Sequence, residues 1–176
     1  MQVELNVQDL FFTQSPSVAT DAQPLPCKIS HSTWENWFRQ WLKTMCRELP
    51  SSNAYELSLR FTDNTEIQAL NAQYRHQNQP TDVLAFAVID QVSFPQLPVP
   101  IQLSMPLYLG DIVISVETAH QQAQRQGHAL TIELAWLASH GLLHLLGWDH
   151  RDQESLITML NQQETLLRLI GLKLRN

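Results

Sequence analysis

The spacing of apolar residues changes period along the chain, and each change marks an element. Val3, Leu5 and Val7 alternate with polar neighbours across Met1 to Val7, which predicts a first strand. Phe12 to Cys27 carries threonines, serines and three prolines and reads as a loop. Trp34, Trp37, Phe38, Trp41, Leu42 and Met45 then recur at helical spacing. They predict a helix from about Trp34 to Arg47, capped by Ser32 or Thr33. Pro50 to Asn53 is a turn. Tyr55, Leu57, Leu59 and Phe61 alternate as a second strand, and Thr62 or Asp63 caps a helix reaching about Tyr74. Asp82 to Ile89 is nearly all apolar, which predicts a strand buried on both faces. Pro95, Pro98, Pro100 and Pro106 mark a long irregular connection. Leu109 to Val116 is another strand, and Glu117 to Gln126 a helix closed by Gly127.

Two helices end the chain. From about Leu130 to Leu146 the apolar residues point all round, which is the mark of a central, buried helix. Asp152 to Ile170 is amphipathic, with Leu156, Met159, Leu160, Leu166 and Leu167 as its inner stripe and Gly171 at its end. Strands and helices mix without strict alternation. The expected fold class is therefore α+β: a small mixed sheet of about four strands, packed with helices around the buried central helix. The 176 residues show no internal repeat, and a single domain over 1–176 is expected.

Composition narrows the setting. The chain is 44% hydrophobic and 16% charged, with a formal net charge of −6. That balance argues against generic nucleic-acid binding, which rests on neutralising many phosphates. It leaves room for a local basic contact. Between His76 and Gln124 there is no lysine or arginine, so basic surface must come from the first helix region and Arg75. No apolar run reaches membrane-spanning length, and no membrane partner is expected. The start of the chain does not read as a secretory signal. The two cysteines, Cys27 and Cys46, are expected to be reduced thiols in a cytoplasmic protein.

The candidate chemistry lies at the end of the buried helix. His140 and His144 are four apart, so their imidazoles share one helix face. Gly147 can turn the chain and bring His150 back towards them. Three converging imidazoles are the ligand count of a catalytic zinc, which keeps a fourth position for water or substrate. Two alternatives remain at this point: core histidines bonded to backbone carbonyls, and a structural zinc. The frame His-x3-His-x2-Gly-x2-His is also that of metzincin peptidases. Those enzymes place a general-base glutamate directly after the first histidine, where this chain has Gly141.

The wider pattern fits another family. His140-Gly141-x-Leu143-His144-Leu145-x-Gly147-x-Asp149-His150 resembles the signature of the YbeY family of ribosomal-RNA maturation endoribonucleases. Leu70-Asn71-x-x-Tyr74-Arg75, Pro80-Thr81-Asp82-Val83-Leu84-x-Phe86 and Leu109-Gly110-Asp111-Ile112-Val113-Ile114 resemble its other blocks, in the same order. The resemblance implies a compact α+β fold and one Zn2+ per chain, held by His140, His144 and His150. It implies a single-strand-specific endoribonuclease acting in 16S rRNA 3′-end maturation and 70S ribosome quality control. Arg75 carries over as the basic catalytic residue of the cleft. The implied partners are ribosomal RNA and ribosome or small-subunit proteins; oligomeric state is left open. Ala85 departs from the serine common at that place. Asp149 either orients an imidazole, acts as a base, or caps the turn or the last helix; Asp111 is either structural or part of the site. The attacking group is either water or the RNA 2′-hydroxyl. The competing functions are a metzincin-like zinc hydrolase of another substrate and a non-catalytic ribosome-assembly factor.

Overall fold

The computed structural model of the chain describes residues 1–14, 28–45, 47, 49, 52–88 and 105–174. Cys27, Cys46, most of the loop expected over Phe12 to Cys27, and most of the proline-rich connection lie outside them.

The alternating segments form the expected strands. β1 (Gln2–Asp9) turns Val3 and Leu5 inward, and β2 (Ala54–Thr62) does the same with Tyr55, Leu57, Leu59 and Phe61. The two run parallel, residue for residue from Gln2 opposite Ala54 to Asp9 opposite Phe61. Between them in sequence come a single helical turn, α1 (Phe11–Gln14), and α2 (His31–Thr44). The first overlaps the start of the loop expected over Phe12 to Cys27. The second starts three residues earlier than expected, because Ser30 rather than Ser32 or Thr33 accepts the free amide of Thr33 on its hydroxyl.

After β2, Asp63 caps α3 (Asn64–Arg75) by accepting the Glu66 amide. β3 (Val83–Ala87) and β4 (Leu107–Ser115) follow. The sheet order is β1-β2-β4-β3, with β4 parallel to β2 and β3 antiparallel to β4. This is a mixed four-stranded sheet among the described residues, as the pattern implied. The prediction for β3 is corrected: Leu84 alone in the strand is buried. β3 is the sheet edge, and α3 covers only part of it.

α4 (Val116–Gln126) ends at Gly127 in the left-handed conformation. α5 (Leu130–Leu145) is the apolar helix, and α6 (Gln153–Leu169) follows behind an Asp152 capping box. α5 packs on β3 and β4, with α4 and α6 against it, and α2 lies over β1. The main core is therefore on one face of the sheet, where Trp34, Phe38, Trp41, Leu57, Leu59, Ile112 and Leu142 are fully or nearly fully buried. The Trp41 indole N–H donates to the Leu166 carbonyl at 2.8 Å, tying α2 to α6. On the other face is a smaller cluster, in which Ile67 of α3 packs against Leu84 and Val113. The inner stripe of α6 is also corrected. Met159, Gln163, Leu166 and Leu167 point inward, while Leu156 and Leu160 are exposed.

Two glycines let backbones approach. At Gly110 φ is +136°, and a Cβ would sit 2.1 Å from the Phe86 carbonyl oxygen. At Gly141 a Cβ would sit 2.7 Å from Ile112 Cγ2. The second contact sets how closely the histidine helix lies on the sheet.

Candidate metal centre

His140 and His144 project from the last turns of α5 into one cavity of about 220 Å³. The helix ends at Leu145, and Gly147 takes φ +85°, as the spacing predicted. The chain then doubles back, and Trp148 N–H donates to the Leu143 carbonyl at 3.0 Å. His150 returns to the same cavity. One donor atom from each imidazole lies within 4.8 Å of the others, so the group could hold a metal ion.

The hydrogen bonds fix the tautomers of the two helical histidines. Gln163 donates its amide to the Trp136 carbonyl at 3.3 Å, which leaves its carbonyl oxygen facing His140 Nδ1 at 3.1 Å. Nδ1 of His140 must therefore carry the proton. His144 Nδ1 faces the Trp148 carbonyl at 2.8 Å and must do the same. Both Nε2 atoms are then lone-pair donors, and they stand 3.0 Å apart. Two bare lone pairs repel unless a cation lies between them. A proton does not fill that role at neutral pH. Burial pushes the His144 pKa down to about 4, helped by His140 and His150, and burial likewise lowers that of His140. Neutral imidazoles held with Nε2 converging suit a divalent ion that accepts nitrogen ligands. The donor set fits a metal, and zinc is among the ions it suits.

The cavity's other wall comes from α3 and β3. Arg75 is the last residue of α3, followed by His76 in the left-handed conformation at φ 58°. Asn71 donates to the Gln79 carbonyl at 2.8 Å, holding the returning loop against the helix. Arg75, Thr81, Asp82 and Ala85 line the cavity together with the three histidines. Arg75 is exposed and makes no ion pair among the described residues. Three of the basic groups before it are paired: Lys28 with Asp9 at 2.6 Å, Arg39 of α2 with Glu35, and Arg60 of β2 with Glu66 at 2.8 Å.

Asp149 neither bonds an imidazole nor caps the last helix. It accepts the His150 amide and pairs with Arg151, whose guanidinium holds the carboxyl below its ordinary range. Asp152 is the cap. Asp111 accepts the Tyr108 hydroxyl at 2.7 Å, outside the histidine cavity. Sequence reasoning missed Gln163, although it was readable as a polar residue at an inward position between Met159 and Leu166. Asp82, named in the sequence only as part of a block, takes the Gln122 amide at 2.9 Å and lies among the cavity residues. Gly141 has a physical reason. A glutamate in that position would bring its Cβ to 2.7 Å from Ile112 Cγ2, so a metzincin-type base there would have to displace the Ile112 side chain.

The fold and this cavity define an α+β protein with a candidate three-histidine metal centre facing one arginine. The family model described as Endoribonuclease YbeY matches residues 20–171, and the chain belongs to that family. Among curated relatives, "Endoribonuclease YbeY" of Trichormus variabilis is 55% identical over 174 residues, covering 99% of this chain and 97% of that one. The protein of the same name from Nostoc sp. is also 55% identical, covering 99% and 93%. The one from Trichodesmium erythraeum is 52% identical, covering 97% and 94%. The solution structure of TM1509 from Thermotoga maritima matches with a TM-score of 0.53 at 19% identity, over 96% of this chain and 89% of that chain; this likeness shows the fold alone. Among the described residues, no helix is long and apolar enough to cross a membrane.

Proposed function

We propose that this chain is a zinc-dependent endoribonuclease that cleaves single-stranded RNA, with His140, His144 and His150 as the ligands of one zinc ion. The observation that carries the metal is the pair of Nε2 lone pairs 3.0 Å apart, with both Nδ1 atoms already committed as donors. When bound, zinc supplies a Lewis acid that polarises a phosphoryl oxygen and acidifies water. The residues of the chain do the rest. Gln163 and the Trp148 carbonyl hold the two imidazoles in the tautomer that presents Nε2. Arg75 binds the phosphate and stabilises charge developing on its non-bridging oxygens. In a cavity with no other lysine or arginine among the described residues, this makes it the catalytic cation.

Membership of the family supports RNA as substrate. The sequence blocks from Leu70 to His150 support the finer reading: a cytoplasmic, single-domain factor acting in 16S rRNA 3′-end maturation and ribosome quality control. Ribosomal RNA and small-subunit proteins are then its partners. A peptidase is disfavoured by Gly141, since no carboxylate can stand beside His140 without displacing Ile112.

The test combines elemental analysis with cleavage of a labelled single-stranded RNA. Wild type should carry about one zinc per chain and cut the strand. His144→Ala should lose both. Arg75→Ala should keep the metal and lose most of the cleavage rate. Folded wild type that takes up no metal when zinc is offered overturns the zinc reading. Zinc-loaded wild type that leaves RNA intact overturns the nuclease reading, and digestion of casein instead would favour the peptidase. Full function in a zinc-loaded Arg75→Ala protein would favour a non-catalytic assembly factor.

A further inference from the structure

A second hollow, of about 500 Å³, lies beside the histidine cavity and is lined in part by Arg60, Tyr74, Phe86 and Asp111. The two hollows follow one another along the same two elements. On β3, Val83 to Ala85 line the histidine cavity, and Phe86 and Ala87 line the second hollow. On α3, Arg75 lines the first and Tyr74 the second. Neighbouring helix residues project about 100° apart. The last turn of α3 thus offers a cation to one hollow and an aromatic ring to the next.

Tyr74 is 55% exposed, and it is the most exposed aromatic side chain among the described residues. Its ring meets Phe86 edge-on, with centroids 5.1 Å apart and planes at 68°. That contact props the ring and leaves it open to a stacking partner. Charge explains why a stacking partner is needed. Among the described residues Arg75 is the one lysine or arginine lining the first hollow, beside the proposed metal, and Arg60 in the second is held by Glu66 at 2.8 Å. Asp82 and Asp111 add negative charge to the two hollows. Side chains that neutralise so few phosphates leave a strand to gain affinity through its bases, and every base has a face that stacks on an aromatic ring.

We infer that Tyr74 is a substrate-binding residue that stacks a base of the RNA strand next to the phosphate held at Arg75, and so sets which phosphodiester enters the histidine cavity. This rests on the reading of the chain as an RNA nuclease. The base next to the cut would thus be gripped through its face rather than its hydrogen-bonding edge, which tolerates any sequence but requires an unpaired base.

The test uses a fluorescein-labelled strand of ten adenosines, and the same strand with one abasic nucleotide placed at each position in turn. Binding is read by anisotropy on the zinc-loaded full-length protein. One abasic position should weaken wild-type binding roughly ten-fold. Tyr74→Ala should weaken the intact strand by a similar factor, and the two losses should not add. Tyr74→Phe should restore binding, because the ring and not the hydroxyl stacks. In cleavage, Tyr74→Ala should raise KM more than it lowers kcat and spread the cut positions. Wild-type affinity in Tyr74→Ala, or losses that add fully at every position, overturns the inference. If wild type cleaves RNA and those results appear, stacking alone fails and the nuclease stands. If wild type neither binds nor cuts the strand, both readings fail.

Discussion

The two faces of the sheet are built differently. On one, α2 and α5 close over the strands, and Trp34, Phe38, Trp41, Leu57, Leu59 and Leu142 lie within 1% of full burial. On the other, Ile67 of α3 is buried only against Leu84 and Val113, and the rest is left to Ser58, Arg60, Asp111 and the exposed Tyr74. Burial of apolar area is the main favourable contribution to folding, so stability is concentrated on the closed face. The candidate chemistry sits at its rim, where α5 runs out and the edge strand β3 begins. The helix that anchors the core is the one that carries the histidines, so the imidazoles are positioned by the best-packed element of the molecule.

The sharpest way to break this contrast is at Trp41. Trp41→Ala removes a fully buried indole through which α2 packs into the core and leaves the Leu166 carbonyl without that donor. A loss of about 3–5 kcal/mol is expected in denaturant unfolding. Arg60→Ala on the open face removes a half-exposed ion pair with Glu66 and should cost no more than about 1 kcal/mol. Equal losses at the two positions would contradict the division of labour.

A smaller effect is expected where the closed face meets the site. Gly141→Ala forces Ile112 or the helix to move and should cost about 1–3 kcal/mol. Ile112→Ala opens the space, so the double variant should be more stable than the sum of the two single losses predicts. Fully additive losses in thermal or denaturant melts would mean that Gly141 is there for another reason.

How far the sequence announced all this depended on how local each feature is. The strands, α5 and the return of His150 follow from periodicity and one glycine, and all are present. The convergence of Nε2 atoms follows from i, i+4 spacing. The charge distribution marks Arg75 as a source of basic surface, but its place beside the histidines came from the resemblance alone, because nothing within α3 tells which cavity its last residue faces. β3 reads as doubly buried because its residues are apolar, yet burial depends on strand order, and an edge position is not encoded in five residues. Leu156 and Leu160 match the period of α6 but lie on its flank, so they stay exposed. Three hydroxyl residues, Ser30, Ser32 and Thr33, cluster at the start of α2, and side-chain geometry selects Ser30 as the cap.

Gln163→Leu probes the rim itself. It keeps the volume near that of glutamine while removing the acceptor of His140 Nδ1. The imidazole is then free to take the other tautomer, and zinc affinity should fall about 10–100-fold, with a small change in folding stability. Competition against a zinc-binding dye measures this. Unchanged affinity would show that the tautomer is set by something other than Gln163.

The gentlest probe is pH on the metal-free protein. His144 is held at a pKa of about 4 when folded and returns to the ordinary value of 6.5 when unfolded. Between these values the unfolded chain binds a proton that the folded chain refuses. Folding stability therefore falls as pH drops from about 6.5 towards about 4, and this contribution levels off below. Glu133 has the opposite sign, because burial raises its carboxyl pKa and the folded state gains protons first as pH falls. Asp149 and Asp152, held low by Arg151 and by the Ser155 amide, lose their contributions below the ordinary carboxyl range. The His144 share is isolated by the difference between wild type and His144→Gln, both stripped of metal. That difference should favour wild type progressively more from pH 4.5 to pH 6.5 and be flat above pH 7. Saturating zinc should carry the wild-type curve to lower pH, since neutral imidazoles hold the ion and protons must displace it. A flat difference between pH 4.5 and 6.5 would mean that the imidazole is solvated in the folded state, which removes the physical basis for two facing lone pairs.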